Sequence, residues 1–511
     1  LNLILGWLTF LAAAIVYILT IEPTTSFWDT GEFITSAYKL EVGHPPGAPF
    51  FMLLGRIFTL FSFGDATQVP VMINIMSALA SAFTIMFLFW TVTHLARRAV
   101  AGYQAPSEGQ TLAVIGAGLV AAFTYTFTDT FWFSAVEGEV YALSSLFTAI
   151  VFWAILKWEN QADQPYANRW IIFIAYMMGL SIGVHLLNLL TIPAIVFIYY
   201  FRKYEVSTKG ILYSALLSVA LLLLVMYGII QGFVMMASKF ELLFVNTFGL
   251  PFNSGAIFYL VVVLGALIYG IYHTYTKNKP VFNTVFTGIA VILIGYSSFA
   301  LILIRSNADT PMNQNQPDDL FSLQSYLNRE QYGSRPLIHG QYFNAQVVEY
   351  EDGKAFYKKQ DGRYVVTDRQ IERKFDPQYT TIFPRMYSSQ TSPNHVQGYM
   401  KWTGMDNRKD KPSFADNLKF FFSYQINHMY IRYFMWNFAG RQNDVQGHGS
   451  AMKGNWLSGI DFIDDMRLGD QDKLPDYLKK NPARNHYYFL PLILGIIGLV
   501  FHYKRDRKNF W

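Results

Sequence analysis

The chain of 511 residues contains no cysteine, which excludes disulfides, thiolate nucleophiles, cysteine metal sites and thiol redox chemistry. Charge is scarce as well. Only 15% of the residues are Asp, Glu, Lys or Arg, against roughly a quarter in soluble domains, and 52% are hydrophobic, so the chain reads as a multi-span membrane protein. No phosphate-cradling GxxxxGK[ST] or GxGxxG loop is present, which argues against ATP or dinucleotide chemistry. The formal charge of +5, from 40 basic and 35 acidic residues, is spread too thinly to draw nucleic acid. Internal repeats and the inverted halves of many transporters are not evident.

What is there is long apolar runs. Crossing a bilayer takes roughly 20 mostly apolar residues, and such runs are predicted at 2–21, 70–94, 111–128, 139–157, 170–187, 188–202, 209–236, 255–272, 281–304 and 487–503, ten in all. Within 170–202, His185, Asn188 and Pro193 interrupt one apolar stretch and predict two short helices joined by a turn. The apolar stretch 47–63 follows two prolines and carries Arg56, which predicts a re-entrant or interfacial helix. With the N-terminus in the cytoplasm, thirteen Lys and Arg residues lie at inner ends, while the short outer loops hold only Lys39, Arg56 and Lys239. Residues 305–486 then lie outside the cytoplasm.

That segment is rich in Asn, Gln, Asp and Tyr, and it carries hairpin signals at Glu351-Asp352-Gly353 and Gln360-Asp361-Gly362. It predicts a small mixed α/β domain. Residues 414–438 are dense in aromatics yet hold Lys419, His428 and Arg432, which predicts a helix lying in the membrane interface. The expected order is a transmembrane module at 1–304 with its first outer loop at 22–69, the mixed domain at 305–486, and a final transmembrane helix with a basic tail at 487–511.

The unusual polar residues gather on the outer side, in SFWDTGEF at 26–33, EVGHPPG at 41–47, VEGEVY at 136–141 and GVHLLN at 183–188. Ionisable groups at span ends are expensive unless they face a polar cavity or a partner, so Asp29, Glu32, Glu137 and Glu139 predict an outward-facing polar cavity. Asp29 and Glu32 share one helix face, where one carboxylate could act on a hydroxyl while the other orients it. The same residues also read as a capping box from Ser26 to Asp29, with acids in the first turn. Pro45-Pro46 between two glycines holds His44 stiffly, as a binding residue or as a turn histidine bonded to a carbonyl. Glu137 and Glu139 read as metal or hydroxyl ligands or as solvated acids of a surface turn, and His185 as a ligand or a satisfied buried histidine. Arg432 and Arg441 are cations that could meet a phosphate or snorkel to lipid headgroups.

As a set, WDTGEF, GHPPGAP, SAVEGEVYAL, GVHLLN and RSNADTPMNQNQPDDLFSLQSYLNREQYG resemble a bacterial family of membrane proteins related to a vertebrate endoplasmic-reticulum protein O-mannosyltransferase and grouped with the GT-C glycosyltransferases. The resemblance covers essentially the whole chain, and its motifs are specific together and weak singly. It implies an all-α polytopic, GT-C-like fold in a bacterial inner membrane with a mixed α/β extracytoplasmic domain and an active site facing the periplasm. It further implies a sugar, mannose, carried on a polyprenyl phosphate and transferred to Ser or Thr of acceptor proteins. By that similarity Asp29 matches the catalytic base and Glu32 is the second candidate. His44, Glu137, Glu139, Tyr141, His185 and Asn188 would then shape the sugar and acceptor pocket, and Arg432 or Arg441 would meet the phosphate. Members of the family usually continue beyond the position of Trp511 into further membrane segments and a helical-repeat region.

The chemistry is sound on physical grounds. A polyprenyl phosphate is a good leaving group already held in the membrane, so the protein must supply a base, support for phosphate charge and in-line positioning. Single displacement inverts the anomeric centre. No cofactor is required and no metal ligand is assigned, although metal dependence stays open; the surroundings are membrane lipids, and nucleic acid is not a partner. A transporter or channel for a lipid-linked or small solute would also use polar residues at span ends, but alternating access places its site near the midplane. A structural subunit of an envelope complex leaves the acidic motifs unexplained.

Overall fold

The computed structural model describes residues 1–510 apart from 103, 334, 389–391 and 409. The chain folds as two compact units. The first holds residues 1–331 with the hairpin tip 357–365, and the second holds 332–356 with 366–510. Residues 305–331 therefore group with the preceding helices, and the division expected at 304 falls further along the chain.

The first unit is helical because its apolar runs leave no partner for backbone groups except their own turns. Among the described residues, eight helices are long and apolar enough to cross a membrane: Asn2–Leu19, Ala66–Ala101, Glu108–Thr126, Val140–Gln161, Leu186–Lys203, Thr208–Thr247, Ser254–Thr276 and Pro280–Ser306. The other two predicted spans form shorter helices, Arg169–Ile182 with 14 residues and Leu490–Arg505 with 16. Both fall short of the ~20 residues a bilayer demands. The break expected within 170–202 is present, since the chain leaves its helix at Gly183 and resumes at Leu186. The stretch 47–63 forms the helix Pro49–Thr59 and a short 3-10 turn, Leu60–Ser62, and Phe50 N–H donates to the Gly183 carbonyl at 2.8 Å.

Small residues let these helices approach. The helix Ala66–Ala101 buries Ser77, Ala78, Ala80, Ser81 and Ala82 and packs against Asn2–Leu19, Glu108–Thr126 and Val140–Gln161. Arg169–Ile182 meets Pro280–Tyr296 so closely that a Cβ on Gly295 would lie 2.4 Å from the Gly179 backbone. Many Leu, Val and Ile side chains of Thr208–Leu223 and Ser254–Thr276 stay exposed, as lipid-facing surfaces require.

The second unit has a small aromatic core of Tyr342, Met386, Tyr399 and Phe420. The strands His339–Gln341 and Thr380–Ile382 pair antiparallel, as do Gly440–Arg441 and Asn485–His486. The long strands Val347–Gln360 and Arg363–Phe375 form a third two-stranded sheet, with Asp361 and Gly362 turning it at φ 46° and 78°. The other expected turn, Glu351-Asp352-Gly353, is not one. Its residues continue the strand, where Glu351 and Asp352 face cross-strand cations, Lys374 at 3.1 Å and Arg369 at 3.8 Å. Residues 414–438 form one continuous helix whose middle, Phe421–Ile431, is π-helical.

Candidate functional site

Trp28 takes a left-handed φ of 63° and turns the chain from the first span into the helix Thr30–Lys39. Asp29 stands at the N-cap position, exposed, and its side chain accepts no capping hydrogen bond. Ser26 does not cap either: its hydroxyl donates to Glu137 and lies 3.1 Å from the Thr30 hydroxyl. The capping box expected from the sequence is therefore not formed. Glu32, one turn on, accepts the backbone N–H of His44 at 2.6 Å and lies 2.8 Å from His44 Nδ1.

The loop around His44 is clamped from residues 305–326. Tyr326 OH donates to the Gly43 carbonyl at 2.7 Å, Val42 N–H donates to the Met312 carbonyl at 2.9 Å, and Arg305 Nε donates to the Leu40 carbonyl at 2.6 Å. Two glycines make the clamp possible. A Cβ on Gly43 would lie 2.6 Å from Glu32 Oε1, and one on Gly47, at φ 73°, would lie 2.7 Å from the Tyr326 hydroxyl. The Pro45–Pro46 peptide between them is cis.

Glu137 and Glu139 are buried, at 5% and 7% exposure, so they are not solvated acids of a surface turn. The backbone N–H of Val140 donates to the Glu139 carboxylate at 3.1 Å, which starts the helix Val140–Gln161. Asn74, in the middle of an apolar sequence and fully buried, donates to the carbonyls of Glu22 and Thr24 at 2.6 and 3.1 Å and so ties the first loop to a spanning helix. Its polarity within the apolar run VMINIM is the sequence signal for this tie.

The site sorts its charges by environment. Burial alone would raise Glu32, but the hydrogen bonds from the His44 ring and backbone, with the His44 charge, hold it below the usual carboxylate range. The Glu32 hydrogen bond raises His44, and Glu32 and Asp29 add to this by charge, against burial and Arg329. Burial pushes Glu137 up, and it pushes Glu139 up to about 7 with help from Glu137 and Asp29. His185 is lowered by burial and by Arg329.

Asp29, Glu32, His44, Glu137 and Glu139 thus converge, while other expected residues serve the frame. Asn188 is fully buried and donates across the break at Gly183 to the Ser181 hydroxyl at 3.0 Å. His185 Nδ1 accepts from the Leu187 N–H at 3.2 Å, and its ring lies 5.5 Å from that of Tyr141. The cation acting on both His44 and His185 is Arg329, in the left-handed region at φ 57° after the helix Leu320–Leu327. It sits in the long motif quoted above, but nothing local in LNRE marks it as a site residue. One ligand atom each from Asp29, Glu32 and His44 lies within 4.8 Å of the others, a spacing that one divalent cation can bridge.

Arg432 and Arg441 both lie in the second unit. Arg432 donates to the carbonyls of His428 and Gly454 at 2.7 and 2.6 Å. Both guanidinium groups face the Trp436 ring, 4.9 and 4.7 Å from its centre.

Residues 29–208 match the family model described as the protein O-mannosyl-transferase TMEM260 N-terminal domain, and residues 333–422 match a family of unknown function (DUF8416). The chain is 30% identical over 174 residues to protein O-mannosyl-transferase TMEM260 of Mus musculus, covering 34% of this chain and 22% of the mouse protein. It is 26% identical over 213 residues to protein O-mannosyl-transferase tmem260 of Dictyostelium discoideum, covering 40% of this chain and 24% of that protein. The chain thus spans less than a quarter of the length of these curated relatives. No solved structure matches it. The relation to the vertebrate protein O-mannosyltransferase anticipated from the sequence motifs is borne out, and both of these relatives are eukaryotic.

Proposed function

We propose that the chain is a glycosyltransferase of GT-C type that moves mannose from a polyprenyl-phosphate carrier to a Ser or Thr hydroxyl of a protein on the extracytoplasmic side. The observation that carries this reading is Asp29: an exposed carboxylate, spared from capping, at the edge of a cluster of buried acids and a clamped histidine. It is also the first residue matched to the O-mannosyl-transferase TMEM260 N-terminal domain.

In this reaction the acceptor oxygen attacks the anomeric carbon, its proton passes to Asp29, and the bond from carbon to phosphate oxygen breaks with its electron pair going to the phosphate. The anomeric centre inverts. Arg329 and His44, whose cationic form Glu32 favours, offset the charge that grows on the leaving phosphate. This reading moves phosphate support to Arg329 from Arg432, which is committed to two carbonyls and Trp436, and from Arg441, which faces Trp436. Glu137 and Glu139, held toward their neutral forms, would bond sugar hydroxyls without placing further negative charge beside the phosphate.

Asp29→Asn tests the assignment, since it keeps the size and removes the base. Transfer of mannose from a short-chain polyprenyl phosphate to a Ser/Thr peptide should fall by roughly a hundredfold or more, with the melting temperature unchanged. Near-normal turnover at saturating donor and acceptor would reject Asp29 as the base.

A further inference from the structure

The second unit holds a cavity of about 700 Å³ beside its own aromatic core. Its charged lining is of one sign, Arg335, Arg385 and Lys401, with no Asp or Glu among the described lining residues, and His395 and His448 also line it. Tyr399, Trp402 and Tyr424 supply ring faces. Beneath them His428 is buried, its ring 5.0 Å from Trp402 and 5.7 Å from Tyr424. Burial, then the charges of Arg432, His448 and Lys401, pushes this histidine down to about 4.

Two polar atoms there are buried without a partner. One is Arg385 Nε, on a guanidinium fixed by a hydrogen bond to the Leu337 carbonyl at 3.1 Å and by the Phe383 ring 4.0 Å away. The other is Gln425 Oε1. Both atoms are occluded by protein, and it is the rest of each side chain, the Arg385 guanidinium and the Gln425 amide, that lines the cavity. The cations require an anion, the Gln425 amide can pair with a hydroxyl, and the ring faces suit the C–H face of a sugar. Inorganic phosphate meets only the first demand, a neutral sugar only the other two, and an acyl chain neither of the polar ones.

We propose that this cavity is a binding site for a glycosyl phosphate, with Arg335, Arg385 and Lys401 on the phosphate and Gln425 with the aromatic faces on the sugar. The site rests on the second unit alone and is independent of the role given to Asp29. The ligand is either a soluble sugar phosphate or the headgroup of a glycosylated lipid phosphate.

Titration of the full chain in detergent with mannose 1-phosphate, followed calorimetrically, tests the proposal. Binding should be at least about tenfold tighter than for mannose or for inorganic phosphate. Arg385→Gln and Lys401→Gln should each weaken it by about tenfold or more while the melting temperature stays constant. A short-chain polyprenyl-phosphate mannose that competes, with the same dependence on Arg385, identifies a lipid headgroup. Failure to compete identifies the soluble sugar phosphate. Absence of saturable binding, affinity no better than for inorganic phosphate, or binding unchanged in both folded variants would overturn the proposal.

Discussion

Asp29 and Glu32 are three residues apart and chemically alike, yet their surroundings separate them. Glu32 is spent on His44, through its ring and its backbone, whereas Asp29 makes no capping bond and stays exposed. Helical spacing shows that the two share a face; it cannot show which one a loop twelve residues further on will engage. Glu139 carries a related lesson with a measurable sign. Its carboxyl titrates near 7 in the folded protein against 4.5 as a free group, so holding it costs nothing below about pH 4.5 and progressively more up to about pH 7. Glu139→Gln keeps an acceptor for the Val140 N–H. It should raise thermal stability at about pH 8, by on the order of 1–3 kcal/mol, and leave it unchanged at acid pH. Melting curves at both pH values check this, and an equal shift at both would show that charge is not the cause.

At the scale of elements, pattern and packing divide the work. The spanning helices were legible as apolar runs, and the break at Gly183 was legible from His185, Asn188 and Pro193. The turn at Asp361-Gly362 was legible because two successive residues suited to positive φ mark a tight hairpin. The similar signal at Asp352-Gly353 failed: the strand runs through it and stays paired with its partner across the sheet. Helix contacts depend on which glycine meets a backbone. Gly295 does, 2.4 Å from the Gly179 carbonyl carbon at the Cβ position, whereas a Cβ on Gly288 would meet only Ala175 at 3.8 Å. Gly295→Ala should therefore lower stability by about 1–3 kcal/mol, whereas Gly288→Ala should be tolerated. Thermal unfolding in detergent separates the two, and equal effects would deny the close approach.

At the scale of the molecule, the basic residues set a testable orientation. In this cysteine-free chain, Gln370→Cys in the second unit should react with an impermeant thiol reagent from outside the cell, and Glu205→Cys, beside Arg202, Lys203 and Lys209, should not. The opposite pattern would invert the topology and with it the side on which transfer is proposed. By itself the sequence determined the class of molecule, its helices and the group of motifs around the first loop, because apolar length, charge bias and turn residues act locally. Only the tertiary structure decided that Ser26 bonds Glu137 and not its own helix, that Glu139 is buried, and that the charge of Arg329 acts on His44 and His185. Those outcomes depend on segments from 111 to 285 residues apart in the chain folding onto the same loop. No local pattern records the desolvation and charge that meet there.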